Sequence, residues 1–584
     1  MKRRWLTLAI ALALLTGLAL SAFAQTPPRV VLPRLIFRAQ GSPGLYEILP
    51  PRFGLEQAAK LLGDLKVVGR SGQAPPTTLA AAPQPVVVFG RSAEAPTAIY
   101  SGANGSLSWF PDLSVRGMVP DGGEAKRIAS DWVKGNMLTP AEEGGVWEVE
   151  DVTTLTRQES GAGAKPEEAL RTVRFVRMLD GLPVRGERSV LTAQVGPEGK
   201  IVGAVRDFRP IRRSAQAIPM KSREQLDQEM QRRFDVFVAE LKKQNPEYEA
   251  KLLNSQMIYY EQGGQYLQPA FLGSVLITGP KGIVGGKALL VSALTQTPEP
   301  IQERSRPARQ TPSGPEKGPR LLGAAPDTGP RVQLADIEIT PHIGTMTLAQ
   351  ADIRYGMYVV RDDSWDWVDD AWDFHTNLDA ANALRRSTID SGTKPTVMDQ
   401  YFWNHVWLFR DGEGQPDYSQ QFVRKVDFVI IEGHGAPYLI TTRSDCCDVI
   451  YLDGIPGYGP NSSLKGRTDY VLWKSCHVIP APPEDANWPN VWWSMFKGMR
   501  GNYGFCQTMW IDDDISDNFG YSIGLGVPNL SAWFSAVDSC KWNHLNGGWE
   551  YGSAVIPCGQ ENECIYDYTG LPNPDCLTIW WQHS

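Results

Sequence analysis

The sequence predicts an α/β fold in two parts: an α+β region in the first half and a sandwich around a mostly parallel sheet in the second. Two continuous apolar runs, at residues 427–434 and 469–476, repeat one pattern 42 residues apart. Runs of this length are typical of strands that are buried on both faces of a parallel sheet. The length of 584 residues is too great for one ordinary core, so several domains are expected.

Composition excludes two classes of protein. The apolar fraction of 42% excludes a wholly disordered chain, because it is enough to build packed cores. The net charge of −8 argues against a general nucleic-acid binder, because neutralising phosphates requires a basic surface. We therefore expect no nucleic-acid partner.

The start of the chain has the pattern of a signal peptide. Basic residues 2–4 precede an apolar run at residues 5–20 and a small-x-small cleavage site at residues 22–24. We expect residues 1–24 to be removed, so that the mature chain starts at Gln25. Because no later apolar run is long enough to span a membrane, we expect a secreted, extracellular or cell-surface protein without membrane contact. A retained N-terminal anchor is the alternative.

Chemistry and charge divide the chain into two halves. The basic half, residues 1–333, contains neither cysteine nor histidine, whereas the acidic half, residues 334–584, contains all eight cysteines and all seven histidines. The acidic half has 15 Lys and Arg against 33 Asp and Glu, a net charge of −18, so the basic half carries +10. Zinc or thiol chemistry is therefore excluded from the basic half, and the opposite charges favour docking of the halves.

A linker is predicted between the halves. Residues 300–333 are rich in Pro, Gly and Arg and show no apolar periodicity. This pattern indicates an exposed segment that is open to proteolysis. Residues 25–119 give no fold prediction.

Residues 120–299 are predicted to be α+β. Helical spacing covers residues 124–136, and a longer helix runs from Ser222, its N-cap, to about residue 243, with Glu224 near its first turn. The strands and turns of this region are predicted at residues 146–149, 172–176, 180–181, 189–193, 196–199, 257–260 and 287–291.

Residues 175–186 (FVRMLDGLPVRG), together with residues 199–202 (GKIV), resemble the strand-turn-strand of PepSY-like and thermolysin-type propeptide domains. Residues 268–271 are similar to the start of a second such sheet. The resemblance implies an intramolecular propeptide that assists the folding of a secreted peptidase and inhibits it. An unrelated α+β module is the alternative.

The two apolar runs of the acidic half end in His434 and Cys476. The 34 residues between Gly435 and Tyr470 are ample for the crossover that joins parallel strands. Both side chains would then lie at the carboxyl edge of the sheet, where open α/β sheets bind ligands. The histidine would take the thiol proton and the thiolate would attack a carbonyl, while Gly433 and Gly435 allow backbone N–H groups to approach an oxyanion.

His434-Gly435 and Ser475-Cys476 resemble the signature of the caspase–gingipain–legumain group of cysteine peptidases. The resemblance implies a caspase-like α/β/α sandwich at residues 334–584, with His434 as general base and Cys476 as nucleophile. The N–H groups of Gly435 and Cys476 would form the oxyanion hole. The region is also similar to an uncharacterised bacterial domain family with the same Gly-His-Gly and Ser-Cys pair.

The sequence departs from the peptidase pattern next to the cysteine. Val478 stands where the caspases have glycine, His477 follows the cysteine directly, and Lys474-Ser475 replace the common Gln/Asp-Ala pair. Downstream, the resemblance implies a helix at residues 488–500, a strand at residues 501–506, and a loop and helix around residues 517–520.

Cysteines of an exported chain are expected to pair. Cys540, Cys558, Cys564 and Cys576 predict a stapled C-terminal cap with open connectivity. Cys476 in a disulfide and His434 as a plain turn residue are the alternatives to the catalytic reading.

Asp512, Asp513 and Asp514 are candidates for binding a basic substrate residue; a solvated or calcium-binding loop is the alternative. The Trp- and Asp-rich residues 365–374 suit glycan chemistry, but Trp365, Val368 and Trp372 share one helical face, which favours core packing. No Cys-x-x-Cys or His-Glu-x-x-His spacing occurs, so no metal or other cofactor is expected.

The sequence is therefore interpreted as a secreted cysteine endopeptidase that is made as a zymogen and acts on proteins or peptides. A catalytically inactive protein that binds peptide or glycan, and a glycan-active protein, are the alternatives.

Overall fold

The computed structural model describes residues 43–301 and 354–584, apart from internal stretches at residues 72–85, 92–95, 137, 139–144, 162, 187, 245, 280–281, 360–373, 375–376, 379–380, 382–395, 402–418, 420–422, 434, 442–448, 456, 463–464, 510–513, 541–549 and 567–572. The predicted signal peptide, almost all of the predicted linker and all but Phe374 of the Trp- and Asp-rich segment therefore lie outside the described residues.

Strands dominate the basic half. Its helices are α1 (Leu55–Leu62), α2 (Gly122–Gly135) and α3 (Arg223–Gln244). Its strands are β1 (Tyr46–Ile48), β2 (Lys66–Ser71), β3 (Val86–Gly90), β4 (Pro96–Ser101), β5 (Ser106–Trp109), β6 (Gly145–Glu159), β7 (Glu167–Leu179), β8 (Leu182–Gly186), β9 (Ser189–Val195), β10 (Ile201–Phe208), β11 (Ile211–Arg213), β12 (Glu249–Glu261), β13 (Tyr266–Gly279) and β14 (Gly282–Ser292).

The acidic half mixes strands with short helices. Its described helices are α4 (Trp488–Trp492), α5 (Ile515–Gly524) and α6 (Asn529–Asp538). Its described strands are β15 (Arg354–Val359), β16 (Thr396–Tyr401), β17 (Phe428–Glu432), β18 (Gly435–Ala436), β19 (Leu439–Thr441), β20 (Val449–Tyr451), β21 (Tyr470–Lys474), β22 (Gly501–Phe505), β23 (Gly552–Pro557) and β24 (Leu577–His583).

Five parallel strands form the centre of the acidic half, in the spatial order β16–β15–β17–β21–β22. β17 pairs with β21 from Phe428 opposite Tyr470 to Glu432 opposite Lys474. This register is the 42-residue offset of the two apolar runs, so the predicted parallel pairing is confirmed.

Both faces of this sheet are covered. Phe428 and Leu472 point into one apolar cluster with Phe519 of α5 and Trp533 of α6, and the alternate side chains point into a second cluster that includes Trp473 and Trp492. Because successive side chains of a strand point to opposite faces, only a sheet between two layers needs an unbroken apolar run. The acidic half is therefore α/β, as the sequence predicts.

The sheet continues antiparallel into the basic half. β22 is followed in space by β23, β24 and then β6, which belongs to the basic half. From β6 the sheet extends through β7, β9, β10, β5, β4, β3 and β2. The two halves therefore dock, as their opposite charges predict, and their described residues belong to one compact unit.

The predicted α+β elements of the basic half are confirmed. Asp121 accepts a hydrogen bond from the Glu124 amide over 2.9 Å at the start of α2. Ser222 caps α3 by accepting from the Gln225 amide over 3.3 Å, while the Gln225 side chain accepts from the Ser222 amide over 2.8 Å, which is a capping box. The turn between β7 and β8 has positive φ at both Asp180 (49°) and Gly181 (78°), as tight hairpins require.

The predicted helix at residues 488–500 is too long. The structure has only α4, Trp488–Trp492, followed by turns. Met495, Phe496 and Met499 are all buried in the same cluster as Trp492, and Gly498 has a φ of 92°, a conformation that no α-helix contains. The strand expected at residues 501–506 and the helix expected around residues 517–520 are confirmed as β22 and α5.

Phe374, the last residue of the Trp- and Asp-rich segment, packs in the core. It is helical and buried, and its ring stacks against Tyr355 and Phe428.

Within the described ranges, no helix combines the length and the apolar character that crossing a membrane would require.

Candidate functional site

The carboxyl ends of β17 and β21 meet at one edge of the parallel sheet. The Gly433 amide donates a hydrogen bond to the Lys474 carbonyl over 3.4 Å, and the Ser475 hydroxyl donates one to the Gly433 carbonyl over 2.8 Å. Ser475 is fully buried, so water does not compete for its bond. The two chain segments that carry the predicted catalytic residues are thus joined immediately before those residues.

Gly435 lies against the backbone of Cys476. A Cβ at position 435 would lie 2.6 Å from the Cys476 carbonyl oxygen and 2.8 Å from the Cβ of Ser475. Glycine is therefore required here by close approach of two chain segments. Gly433 and Gly435, the neighbours of His434 in sequence, both contact residues 474–476. His434 itself lies outside the described residues, so its pairing with Cys476 stays a prediction.

Cys476 is a free cysteine with a half-buried side chain, and the alternative of a disulfide at this position is not observed. Its Sγ lies 3.7 Å from the Met509 carbonyl oxygen. Burial raises the pKa of the Cys476 thiol to about 11; the charge of Glu550 adds to the rise, while hydrogen bonding with the Met509 backbone and the charge of Lys474 oppose it. The thiol is therefore protonated at neutral pH, and a nucleophilic role requires a base that accepts its proton.

Two charged side chains lie beneath the site. Glu432 and Lys474 occupy equivalent positions on β17 and β21, and both are fully buried. The Lys474 ammonium group lies 5.2 Å from the centre of the Phe505 ring, a distance at which a cation is attracted by an aromatic face. The sequence shows these residues as single charges in apolar runs, but only their burial identifies them as part of the site.

His477 forms an unusual turn after the cysteine. Its φ is 56°, which is rare for a residue with a side chain and is found preferentially at functional sites. The His477 amide donates to the Gln507 carbonyl over 2.8 Å, and its imidazole Nε2 lies 2.7 Å from Glu484 Oε2. This pair holds the turn that presents Cys476. In the sequence, the only signal for this turn was the departure from the peptidase pattern at position 477.

Tyr438 joins the chain after Gly435 to the chain after Cys476. Its φ is 58°, and its amide donates to the Val478 carbonyl over 3.2 Å. Burial raises the pKa of the Tyr438 hydroxyl, and Asp485 and Glu484 raise it further. The two chain segments are therefore joined by hydrogen bonds both before residues 434 and 476 and after them in sequence.

The remaining predicted site residues are only partly described. Asp512 and Asp513 lie outside the described residues. Asp514 precedes α5, is buried, and accepts a hydrogen bond from the Asn518 amide group over 3.3 Å. Its role in binding a basic substrate residue stays a prediction.

The cysteines of the C-terminal cap are partly paired. A disulfide joins Cys558 to Cys576, which is one of the pairings that the predicted C-terminal cap left open. In the part of the chain that the structure describes, the one close set of metal-binding residue types is Glu159 with these two cysteines, whose sulfurs are bonded to each other. Because these two sulfurs form a disulfide, this set does not offer three free ligands.

Comparisons with known proteins are uninformative about activity. Residues 377–570 match the family described as "Domain of unknown function (DUF6345)". No curated protein matches the chain. A crystal structure of an uncharacterized protein from Eubacterium rectale is similar at 10% sequence identity with a TM-score of 0.30; the match covers 44% of this chain and 86% of that chain.

Proposed function

We propose that this protein is a secreted cysteine endopeptidase, made as a zymogen, with a caspase-like α/β/α sandwich as its catalytic domain. One observation carries the proposal. β17 and β21 are parallel neighbours in the 42-residue register, so we expect His434 and Cys476, which follow them in the chain, at equivalent positions beyond one sheet edge. This is the placement that thiol catalysis with a histidine base needs.

The order of the parallel strands supports the position of the site. β15, β16, β17, β21 and β22 follow one another in the described chain, but in space the order is β16–β15–β17–β21–β22. This is the doubly wound order, in which ligands bind beyond the carboxyl ends beside the point where strand order reverses. That point lies between β15 and β17, and β17 is the strand that leads to His434.

The proposed reaction starts from the protonated thiol. His434 accepts the Cys476 proton while sulfur attacks the carbonyl carbon of a peptide bond, and the N–H groups of Gly435 and Cys476 stabilise the oxyanion. His434 then gives the proton to the departing amine, which leaves a thioester. Water, deprotonated by His434, attacks the thioester, and the carboxylic acid and the free thiol are released.

The basic half supports a propeptide-like role. α2 packs against β6, β7 and β9, and α3 packs against β12, β13 and β14, so two helix-plus-antiparallel-sheet units follow one another. We propose that they are PepSY-like domains that assist the folding of the acidic half. The linker at residues 300–333 is the proposed site of self-cleavage, after export directed by residues 1–24.

The test is hydrolysis of casein and of a mixed peptide library by the purified chain. The Cys476→Ala and His434→Ala variants should each lose at least about 1,000-fold in kcat/KM, because the members of a catalytic unit fail together, and neither should cut itself between residues 300 and 333. Cys506→Ala is the control: Cys506 directly follows the neighbouring strand β22 and is also a free cysteine, but its thiol is fully buried, with a pKa raised by burial to about 12. Equal hydrolysis by wild type and Cys476→Ala would remove the proposal.

A protein that binds peptides without cleaving them is the second candidate. The pKa of about 11 at Cys476 favours it, because a protonated thiol is a poor nucleophile. In that case the library peptides should bind but stay intact, and Cys476→Ala should bind them as the wild type does.

A further inference from the structure

We propose that the basic half is a permanent subunit of the protein, which stays bound to the acidic half after the chain between them is cut. The first observation is that a strand of the acidic half pairs with a strand of the basic half. β24, at the end of the acidic half, lies between β23 and β6, and it pairs with β6 over six residues, from Thr578 opposite Glu159 to His583 opposite Thr154. The sheet therefore has no edge between the halves.

Two hydrogen bonds between Ser160 and Leu577 close one end of this strand pair. The Ser160 amide donates to the Leu577 carbonyl over 2.7 Å, and the Leu577 amide donates to the Ser160 hydroxyl over 2.8 Å. The Arg157 guanidinium lies 5.5 Å from the centre of the Trp580 ring. Separation would leave two long unpaired strand edges in water, which folded proteins avoid.

A buried polar cluster forms the second contact. The Asp538 carboxylate accepts hydrogen bonds from Thr172 over 2.6 Å and from Gln194 over 3.4 Å, both from the basic half. Gln582 of β24 donates to the other oxygen of the carboxylate over 2.8 Å. All four side chains are buried, so each bond that separation breaks leaves a polar group to be solvated again.

Arg174 extends this cluster across the boundary. Its guanidinium donates to the Asp538 carbonyl over 2.9 Å and to the Cys540 carbonyl over 3.2 Å. Glu150 lies 3.5 Å from Arg174 and also pairs with Arg185. The ion pairs with Glu150 lie within the basic half, whereas the two bonds from Arg174 to the Asp538 and Cys540 carbonyls cross the boundary and exist only while the halves are together.

The boundary also contains apolar contacts and further polar contacts. Leu155 and Leu170 of the basic half share one apolar cluster with Trp533 and Trp580. The buried Ser531 hydroxyl donates to the Pro111 carbonyl over 2.7 Å, and Arg116 pairs with Glu561. Shared sheet, buried ions and shared core are features of a lasting interface, not of an inhibitor that is released.

The experiment uses the full chain with Cys476→Ala, so that no self-cleavage is possible and the result does not depend on peptidase activity. A recognition site for a sequence-specific protease is inserted after Pro315, and the cut protein is run on size-exclusion chromatography in buffer and in guanidinium chloride. Both fragments should elute together in buffer, at the position of the uncut chain, and separately in denaturant. Two separate peaks in buffer would overturn the proposal.

A matched pair of variants tests the cluster. Arg174→Met removes the bonds to Asp538 and Cys540, whereas Arg171→Met, on the same strand, removes contacts with Pro120, Thr154 and Glu168 inside the basic half. After cutting, the dissociation constant of the Arg174→Met fragments, measured by dilution, should be at least tenfold higher than that of the Arg171→Met fragments. If Arg174→Met does not fold, Thr172→Val, which removes one boundary bond, replaces it with a smaller expected effect in the same direction. Equal dissociation of the variant and its control would overturn the role of the cluster.

Discussion

Replacing Gly435 with alanine tests the contact between the two strand ends. The new Cβ would lie 2.6 Å from the Cys476 carbonyl oxygen, 2.6 Å from Val478 Cγ2 and 2.8 Å from Ser475 Cβ. Real Cβ atoms do not approach other atoms so closely, and none of these three is the end of a long flexible side chain. The β18 loop and the turn after Cys476 would therefore have to move apart.

The expected cost follows from overpacking. Forcing one methyl group into a packed region destabilises a protein by about 1–3 kcal/mol, which lowers Tm by about 2–4 °C for each kcal/mol in a domain of 150–250 residues. Gly122→Ala is the control, because a Cβ at the start of α2 meets nothing within 4 Å. The control should gain up to about 1 kcal/mol from reduced freedom of the unfolded chain.

Thermal unfolding followed by circular dichroism measures both variants against the wild type. In the same samples, hydrolysis of peptides by Gly435→Ala should fall at least about tenfold, because a displacement of about 1 Å at a catalytic site costs up to roughly 100-fold. A Gly435→Ala protein as stable as the Gly122→Ala control would refute the close approach, and with it the argument that residues 433–435 and 475–476 form one site.

Two more predictions follow from the geometry. The rate of Cys476 alkylation by iodoacetamide, measured by mass spectrometry, should rise about tenfold for each pH unit between about pH 7 and 10. The reason is that the thiolate fraction of a thiol with a pKa of about 11 rises in that proportion. A rate independent of pH in that range would mean that a neighbouring base already holds the thiol proton. Replacing both Cys558 and Cys576 with serine opens a loop with a sequence separation of 18, and the free energy of unfolding in denaturant should fall by about 3 kcal/mol; an unchanged value would show that the cap is held by its other contacts.

Sequence patterns were sufficient where neighbouring residues decide the structure. The capping residue Ser222 was readable because a helix start depends on three or four consecutive positions. The helix at residues 488–500 was predicted too long for the converse reason. Its apolar residues are buried by the surrounding layers on several sides, so their spacing does not report a single helical face.

The functional site was predicted in part. The strand ends before His434 and Cys476 are together, and Cys476 is free. The buried pair Glu432 and Lys474 and the contact of His477 with Glu484 were not foreseen. The burial of Glu432 and Lys474 depends on the layers that cover the sheet, and the contact of His477 depends on a loop that returns to the end of β21. Neighbouring residues in the sequence predict neither feature.

The register of β17 and β21 was readable from the sequence, because a strand buried on both faces needs an unbroken apolar run and two such runs can be aligned residue by residue. In contrast, long-range contacts in the folded chain bring β24 to the sheet of the basic half and provide Asp538 with hydrogen-bond donors from residues more than 300 positions away. Such partners are chosen by which edges and buried charges remain to be satisfied once the local elements have formed, and that choice depends on the whole folded chain.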